Sequence, residues 1–292
     1  MSQPTLLVTG ASGQLGRAVT SHLLDTLGVP ASSLILLTRS PDKLDAPAGA
    51  QLRRADFDAP ATLGPAFAGA DRVLLISTTA IGRRATQHQA AIEAAKAAGA
   101  QHLVYTSMPD PHDSEVSFAP EHAATERAIE ASGLSGTSIL RNHWYFENLH
   151  LTVPGMLAAG GKWFTAAGAG RMADVSRDDL ALAAATALVK DTGHSVRTLS
   201  GAEALTTEEV AAKLGAALGT PLEVVHLEVE PLVAGMIEAG LPEPVARTFA
   251  SFDTNTAAGH MAGVTGELEA LIGRPAQRFD AWLADHAASL RG

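Results

Sequence analysis

Short apolar runs alternate with helical patterns through the first half of the chain. The runs Thr5–Thr9, Leu34–Thr38 and Arg72–Ser77 are rich in leucine, isoleucine and valine, which is typical of buried strands. Between the first two runs, leucine or valine recurs at every fourth residue across Leu15–Leu27, and Gly28 follows. This spacing predicts an amphipathic helix that ends at the glycine.

The same alternation continues to about residue 140. It predicts further strands at Gln51–Arg54, His102–Thr106 and Thr137–Leu140, and helices at Thr86–Ala98 and Glu121–Ala131. Strands that alternate with helices indicate a parallel sheet covered by helices on both faces.

The pattern changes after Arg141, because prolines and glycines interrupt residues 154–170. Capping boxes at Ser176–Asp179 and Thr206–Glu209 predict helices over Leu180–Val189 and Val210–Leu218, so Asp178 and Asp179 are interpreted as charges at a helix N-terminus. The remaining tail is predicted to be mainly helical, with one strand near Val224–Leu227.

These elements predict an α/β fold: a Rossmann-like, doubly wound parallel sheet with a smaller, mainly helical C-terminal substrate lobe. Residues 1–150 are expected to form the NAD(P)-binding domain, with part of 171–200 returning to it. Residues 151–292 are expected to form the smaller lobe.

Composition narrows the class of protein. The net charge is −10, from 21 basic and 31 acidic residues, which argues against a long nucleic-acid-binding surface. No apolar run approaches the roughly 18 residues that span a membrane. The chain has no cysteine, which excludes disulfides and Cys-ligated zinc, and it has no His-Glu-x-x-His motif. We therefore expect a cytoplasmic enzyme without a metal site.

A glycine-rich turn follows the first predicted strand. Gly10, Gly13 and Gly16 are spaced three apart, and Ser12, Gln14 and Leu15 lie among them. Glycines let the backbone approach a pyrophosphate, and the N-terminus of the next helix attracts its negative charge. The spacing favours a dinucleotide site over an ordinary glycine-rich turn.

Arg39 ends the second predicted strand, where the adenosine ribose of a dinucleotide would lie. A carboxylate at this place would repel a 2′-phosphate, whereas an arginine binds it with two hydrogen bonds. NADP(H) is therefore favoured over NAD(H). The alternative is that Arg39 is only a solvated charge at a strand end.

Two further pairs follow strands at the edge where a ligand would bind. Asp56 and Phe57 are placed to contact an adenine ring, and Ser77 and Thr78 to line the path from the diphosphate to the nicotinamide. Serine and threonine also end strands simply by turning the chain, so both interpretations stay open.

Several segments together resemble the NmrA-like branch of the atypical short-chain dehydrogenase/reductases. The segments are Val8–Gly16, Gln87–Gln89, Ala94–Gly99, Tyr105–Ser107, Glu121–Glu126, Leu140–Asn142 and Leu271–Gly273. Within this branch the resemblance is closest to the bacterial type 2 NADPH-dependent quinone oxidoreductases, followed by the triphenylmethane reductases. It covers nearly the whole chain.

The resemblance implies that Gly10, Ser12, Gly13, Gln14, Leu15 and Gly16 hold the diphosphate of NADP(H). It also implies that Arg39 takes the 2′-phosphate and that Ser77 lines the cofactor channel. Asn142, with Tyr145 nearby, would lie next to the nicotinamide and the substrate. A homodimer is expected at the family level.

The catalytic machinery departs from the classical pattern of the wider superfamily. Ser107 matches the serine position, but no tyrosine in the chain precedes a lysine by four residues. His122 and Glu126 share one face of a predicted helix, so His122 is a candidate acid supported by Glu126. The alternative is an ordinary exposed His–Glu pair. The catalytic candidates are therefore Asn142, His122 and Tyr145.

Quinone reduction is compatible with the missing tyrosine. Hydride addition to a quinone produces a stabilised hydroquinone anion that water can protonate, so the protein mainly orients the reactants. We therefore expect an NADPH-dependent reductase of quinones or similar electron-poor aromatic acceptors. The alternatives are a non-catalytic NADP(H)-sensing regulator and a reductase of triphenylmethane-type dyes.

Overall fold

The computed structural model describes residues 3–291. Within them, seven strands form one sheet in the spatial order β3-β2-β1-β4-β5-β6-β9, with every neighbouring pair parallel. The strands of the sheet are β1 (Leu6–Val8), β2 (Leu34–Thr38), β3 (Gln51–Arg54), β4 (Arg72–Leu75), β5 (His102–Ser107), β6 (Gly136–Asn142) and β9 (His194–Leu199). The order 3-2-1-4-5-6 is that of a doubly wound Rossmann fold, so the predicted fold class is confirmed.

Helices cover both faces of the sheet and build the rest of the molecule. They are α1 (Gln14–Ser21), α2 (Leu63–Phe67), α3 (Arg84–Ala97), α4 (Ala119–Glu130), α5 (Leu149–Ala158), α6 (Arg177–Lys190), α7 (Thr207–Leu218), α8 (Val229–Glu238), α9 (Glu243–Ala257), α10 (Glu267–Ile272) and α11 (Phe279–His286). Helix α1 continues as one wider π-helical turn over His22–Thr26.

Alternating side chains along each strand separate two cores. In β1, Leu6 and Val8 face a core shared with α1 and α6, whereas Leu7 faces a core shared with α2, α3 and α4. All three side chains are essentially inaccessible to solvent. Burial on both faces explains why the strands are continuously apolar rather than alternating.

Short strands and helices also lie outside the main sheet. Strands β7 (Lys162–Thr165) and β11 (Glu223–His226) pair in parallel, and β8 (Arg171–Met172) pairs with β10 (Leu205–Thr206) in antiparallel fashion. A separate core packs Trp282 and Phe279 of α11 against Phe146. No helix among residues 3–291 is long and apolar enough to cross a membrane.

Two of the longer elements, β9 and α5, were not predicted, and neither were the short elements α2, β7, β8 and β10. Strand β9 lies at the edge of the sheet and has only two apolar residues, Val196 and Leu199, so it lacks the continuous apolar run of the central strands. Helix α5 carries Pro154 and Gly155 in its interior, which the sequence analysis interpreted as irregular chain. Helix α6 and strand β9 pack onto the main sheet, next to α1 and β6.

The two predicted capping boxes differ in outcome. At Thr206 the reciprocal box is complete, because Thr206 and Glu209 each bind the other's backbone N–H. At Ser176 it forms only in part. The Ser176 hydroxyl accepts from the backbone N–H of Asp179, but the Asp179 carboxylate accepts from the backbone of Gln277 instead.

Candidate functional site

A cleft of about 1090 Å³ opens at the carboxyl edge of the sheet. Ligands of open α/β sheets bind at this edge. The cleft lies slightly above the range of about 300–1,000 Å³ that is typical of small-molecule sites. Every site residue predicted from the sequence lines it: Gly10, Ser12, Gly13, Gln14, Leu15, Gly16, Arg39, Asp56, Phe57, Ser77, Thr78, Ser107, His122, Asn142 and Tyr145.

The glycine-rich turn needs Gly10 for its backbone conformation and Gly16 for space. Gly10 has a φ of 59°, in the left-handed region, and its carbonyl accepts from the backbone N–H of Gly13 at 2.9 Å. A Cβ added to Gly16 would lie 2.8 Å from the Cα of Ala11 and closer still to the Gly10 carbonyl. Helix α1 begins directly after Gly13. The turn therefore has the close approach and the helix N-terminus that a pyrophosphate requires.

Side-chain hydrogen bonds tie this turn to the end of β2. The hydroxyls of Ser12 and Thr38 are 2.8 Å apart. Arg17 donates to the Ser12 carbonyl at 2.9 Å and to the Lys43 carbonyl at 3.1 Å. These bonds fix the loop that carries Arg39 relative to the glycine-rich turn.

Arg39 is exposed and lines the cleft together with Ser40 and Lys43. Among residues 3–291 the guanidinium of Arg39 has no carboxylate within ion-pair distance. The pKa of Asp58 is lowered mainly by the hydrogen bond from Gln87, then by Arg83, and to a smaller extent by the charge of Arg39. Two cations and a hydroxyl around open space fit a dianionic phosphate.

Asp56 and Phe57 lie in the loop after β3. One oxygen of the Asp56 carboxylate accepts from the backbone N–H of Asp58 at 3.0 Å, which turns the loop. Phe57 packs with one side against the second core of the sheet. Both residues border the cleft near Arg39, as an adenine subsite would require.

Ser77 lies directly beyond β4. Its backbone N–H donates to the hydroxyl of Thr106 at 2.9 Å, and the preceding backbone N–H of Ile76 donates to the hydroxyl of Thr9 at 2.9 Å. Threonines from the two neighbouring strands therefore hold the end of β4 in place. Thr78 follows and is bound by side chains of α3.

Ser107 donates a hydrogen bond to Glu126, which forms an ion pair with Arg141. The Ser107 hydroxyl donates to Glu126 Oε1 at 2.6 Å, and Arg141 donates to both Glu126 oxygens at 3.1 and 2.7 Å. The hydrogen bond to Glu126 raises the pKa of Arg141 above its usual value. His112 Nε2 lies 3.4 Å from Glu126 Oε2, so the Glu126 carboxylate is occupied by Arg141, Ser107 and His112.

His122 differs from both sequence interpretations. It is buried at 4% exposure, so the exposed His–Glu pair is wrong. Its Nδ1 is hydrogen-bonded to the Tyr105 hydroxyl at 2.8 Å, and Glu126 binds other partners, so support of His122 by Glu126 is also wrong. Burial, together with the charge of Arg84, lowers the pKa of His122 to about 3. The ring is therefore neutral near pH 7.

Asn142 ends β6 with an unpaired carboxamide. The residue is 7% exposed, and neither polar atom of its side chain has a hydrogen-bond partner of good geometry among residues 3–291. Buried polar groups without partners are rare and costly in folded proteins. An unpaired donor and acceptor that line a cleft therefore fit a polar ligand.

An aromatic wall stands beside Asn142. Trp144 meets Phe252 of α9 edge-on with ring centroids 4.4 Å apart, and Phe118 meets Phe252 at 5.9 Å. The ring of Tyr145 lies under the Arg177 guanidinium at 5.2 Å, and burial raises the pKa of its hydroxyl. Aromatic edges and faces of this kind suit a planar, apolar acceptor.

Helix α9 is hydrogen-bonded at this wall to the loop between β5 and α4. The Asn255 carboxamide oxygen accepts from the Ser114 hydroxyl at 2.8 Å and from the Glu115 backbone at 3.0 Å. Phe118, which lines the cleft, was not identified from the sequence, because no motif marks it. The polar side chains of α3 were also missed as site residues.

Comparison with known proteins agrees with this geometry. The NmrA-like family matches residues 2–280. Quinone oxidoreductase 2 of Escherichia coli strain K12 is 37% identical over 274 residues, which cover 92% of this chain and 94% of that protein. The structure of the Escherichia coli NADPH-dependent quinone oxidoreductase complexed with NADPH superposes with a TM-score of 0.90 at 34% identity, covering 98% and 100% of the two chains. The Citrobacter sp. triphenylmethane reductase complexed with NADP(H) superposes with a TM-score of 0.85 at 31% identity, covering 96% and 99%. The chain belongs to the NmrA-like family.

Proposed function

We propose that the protein is an NADPH-dependent reductase that transfers a hydride to quinones or similar electron-poor aromatic acceptors. One observation carries the proposal: one cleft is lined by the glycine-rich turn, by Arg39, which has no carboxylate within ion-pair distance among residues 3–291, and by Asn142, whose carboxamide makes no hydrogen bond of good geometry within that range. The similarity to an NADPH-dependent quinone oxidoreductase supports the same conclusion.

The chain's own residues divide the work along the cleft. The backbone of Gly10–Gly16 and the N-terminus of α1 would hold the diphosphate, and Arg39 would hold the 2′-phosphate. NADPH, when bound, supplies the hydride. Asp56 and Phe57 would border the adenine, while Ser77 and Thr78 would line the path to the nicotinamide.

Asn142 would orient the reacting groups, since its carboxamide offers one donor face and one acceptor face. Trp144 and Tyr145 would hold a planar acceptor and keep water out. His122, neutral and bound to Tyr105, would shape the cleft rather than supply a proton. The hydroquinone anion would then take its proton from water.

A dye reductase is a second candidate. The overall match to triphenylmethane reductase supports it, and the aromatic residues Phe118 and Trp144 of the cleft suit a bulky conjugated acceptor as well as a quinone. We further propose that residues 151–292, apart from the part of 171–200 that joins the sheet, form the acceptor-binding lobe. A cytoplasmic homodimer that binds no nucleic acid completes the proposal.

A single assay tests the function. Purified protein is mixed with NADPH or NADH and a panel of benzoquinones, naphthoquinones and triphenylmethane dyes, and loss of the nicotinamide absorbance is followed. We expect turnover with NADPH and at least one quinone. NADPH binding without turnover on any acceptor would contradict the enzyme and leave the NADP(H)-sensing regulator. Faster turnover of the dyes than of every quinone would favour the second candidate.

A further inference from the structure

One face of α3 is polar although it is buried. Arg84, Gln87 and His88 lie at helical positions i, i+3 and i+4 and are 5%, 6% and 0% exposed. Burying such groups costs free energy unless each finds a hydrogen-bond partner, and apolar residues would pack there at lower cost. The face therefore needs an explanation other than packing.

All three side chains bind the same residue. The Thr78 backbone N–H donates to His88 Nε2 at 3.1 Å, and Arg84 Nε donates to the Thr78 carbonyl at 2.7 Å. The Thr78 hydroxyl donates to Gln87 Oε1 at 2.7 Å. Every polar group of one cleft residue is thus held by one helix face.

The hydrogen-bond directions place the proton of His88. The Thr125 hydroxyl donates to the Glu121 carbonyl at 2.8 Å, so it must accept from His88 Nδ1, which lies 2.9 Å away. Nε2 is then unprotonated and accepts from Thr78. Burial and the charge of Arg84 lower the pKa of His88 to about 3, which keeps the ring neutral. The tautomer with its proton on Nδ1 is therefore the one that can accept the hydrogen bond from the Thr78 backbone.

Asp58 sets the orientation of Gln87 in the same way. The Asp58 carboxylate accepts from Gln87 Nε2 at 2.7 Å and pairs with Arg83 at 2.8 Å. A flipped amide would place its oxygen against the carboxylate, so Oε1 must face Thr78. The hydroxyl hydrogen of Thr78 is consumed by this bond, and its oxygen keeps only lone pairs for a ligand.

We propose that Arg84, Gln87 and His88 are positioning residues that hold Thr78 as a hydrogen-bond acceptor in the nucleotide cleft. The acceptor matches a hydroxyl or amide donor of the nicotinamide nucleoside and disfavours a phosphate oxygen. The inference rests on the proposed NADPH site. It acts on binding and orientation, not on proton transfer.

The first test measures the dissociation constant of NADPH by fluorescence titration in the absence of an acceptor. His88→Leu removes the acceptor for the Thr78 backbone, and we expect affinity to fall about tenfold, in line with the loss of one hydrogen bond in a desolvated site. His88→Gln places an oxygen where Nε2 stood, and we expect it to recover most of the loss. Equal weakening by both substitutions would overturn the role of Nε2.

The second test asks whether Gln87 acts through Thr78. Thr78→Val and Gln87→Leu are compared singly and together, with Gln89→Leu on the exposed face of α3 as the matched control. We expect each single variant to weaken NADPH binding three- to tenfold. The double variant should be no weaker than the worse single one, because both remove the same acceptor geometry. Independent, multiplicative losses would overturn the proposal.

A stability measurement and a second pair of variants distinguish a loss of binding from a failure to fold. Thermal unfolding of each apoprotein is measured, and if His88→Leu does not fold, Thr78→Ser, which keeps the hydroxyl, is compared with Thr78→Val. We expect wild-type affinity only for serine. Tight NADPH binding without turnover would overturn the proposed function and leave this inference intact. Turnover with unchanged affinity in every variant would overturn only the inference.

Discussion

Arg141 and Glu126 form a two-point ion pair behind the cleft at the carboxyl edge of the sheet. Arg141 Nε and Nη2 lie 3.1 and 2.7 Å from the two Glu126 oxygens, and the Glu126 side chain is 1% exposed. The pair joins the end of β6, which carries Asn142, to helix α4, which carries His122. It therefore anchors two walls of the cleft to each other.

Removing one partner of this pair should destabilise the fold. Arg141→Met leaves Glu126 buried with the Ser107 hydroxyl at 2.6 Å and His112 Nε2 at 3.4 Å, and without its arginine. We expect the free energy of unfolding in urea to fall by about 3 kcal/mol, as for other buried pairs that lose one charge. Arg127→Met, an exposed arginine of the same helix α4, is the control. If Arg141→Met loses no more unfolding free energy than Arg127→Met, the Arg141–Glu126 pair contributes no more to stability than an exposed ion pair.

Arg39 should decide between the two nicotinamide cofactors. Arg39→Ala removes a charged contact to the 2′-phosphate, which is worth about 1.5–3 kcal/mol. We expect the KM for NADPH to rise about tenfold or more and the KM for NADH to stay within about twofold, which steady-state kinetics would measure. Arg54→Ala, at the end of neighbouring β3, is the control. An equal rise of the KM for NADPH and for NADH would show that Arg39 supports the fold and does not recognise the 2′-phosphate.

The fold was predictable because its sheet is buried on both faces. Strands such as Leu34–Thr38 are continuous apolar runs, and the glycines that follow the helices mark the breaks between elements. Strand β9 was not predictable from this signal, since its outer residues are exposed at the edge of the sheet. Helix α5 was missed because its Pro154 is tolerated inside the helix.

The site was predictable where it follows from strand ends. Arg39 and Ser77 are adjacent or nearly adjacent to apolar strands, so their place at the carboxyl edge follows from topology. The burial of Gln87 and His88 was not predictable from the sequence, because a polar helix face is ordinarily expected to be exposed. His122 was misjudged for the same reason. Its hydrogen-bond partner is Tyr105 of strand β5, and the spacing of residues along one helix gives no information about partners on other elements.

Asn142 should be important for turnover but dispensable for folding. Asn142→Leu is nearly isosteric and removes a carboxamide that makes no hydrogen bond of good geometry among residues 3–291, although it lies close enough to the Tyr145 hydroxyl to act on the pKa of that group. We expect kcat to fall at least tenfold, whereas the free energy of unfolding of the apoprotein stays the same or rises. Asn255→Leu provides the contrast, because its oxygen accepts two hydrogen bonds. That variant should lose about 1–3 kcal/mol of stability. Loss of stability in both variants would show that Asn142 is a structural residue.

Asp174 should make the protein less stable as the pH rises toward 7. Its Oδ1 is buried without a partner among residues 3–291, and burial raises the pKa of its carboxyl to about 7. The folded state therefore holds this proton more tightly than the unfolded chain. Stability contributed by the protonated acid is fully present below about pH 4 and is lost as the pH rises to about 7.

The histidines titrate in the opposite sense and at lower pH. Burial lowers the pKa of His88 and of His122 to about 3 and that of His102 and of His143 to about 4, so their contribution to stability grows as the pH rises and levels off only about one pH unit above 6.5. These histidines are common to wild type and to Asp174→Asn, so the difference in urea-unfolding free energy between the two proteins isolates Asp174. We expect wild type to lose stability relative to Asp174→Asn as the pH rises from about 4 to about 7, and Asp174→Asn to be the more stable protein at pH 8. Asp45→Asn, at an exposed loop position, should keep the wild-type slope. Parallel pH profiles for wild type and Asp174→Asn would contradict the buried neutral acid.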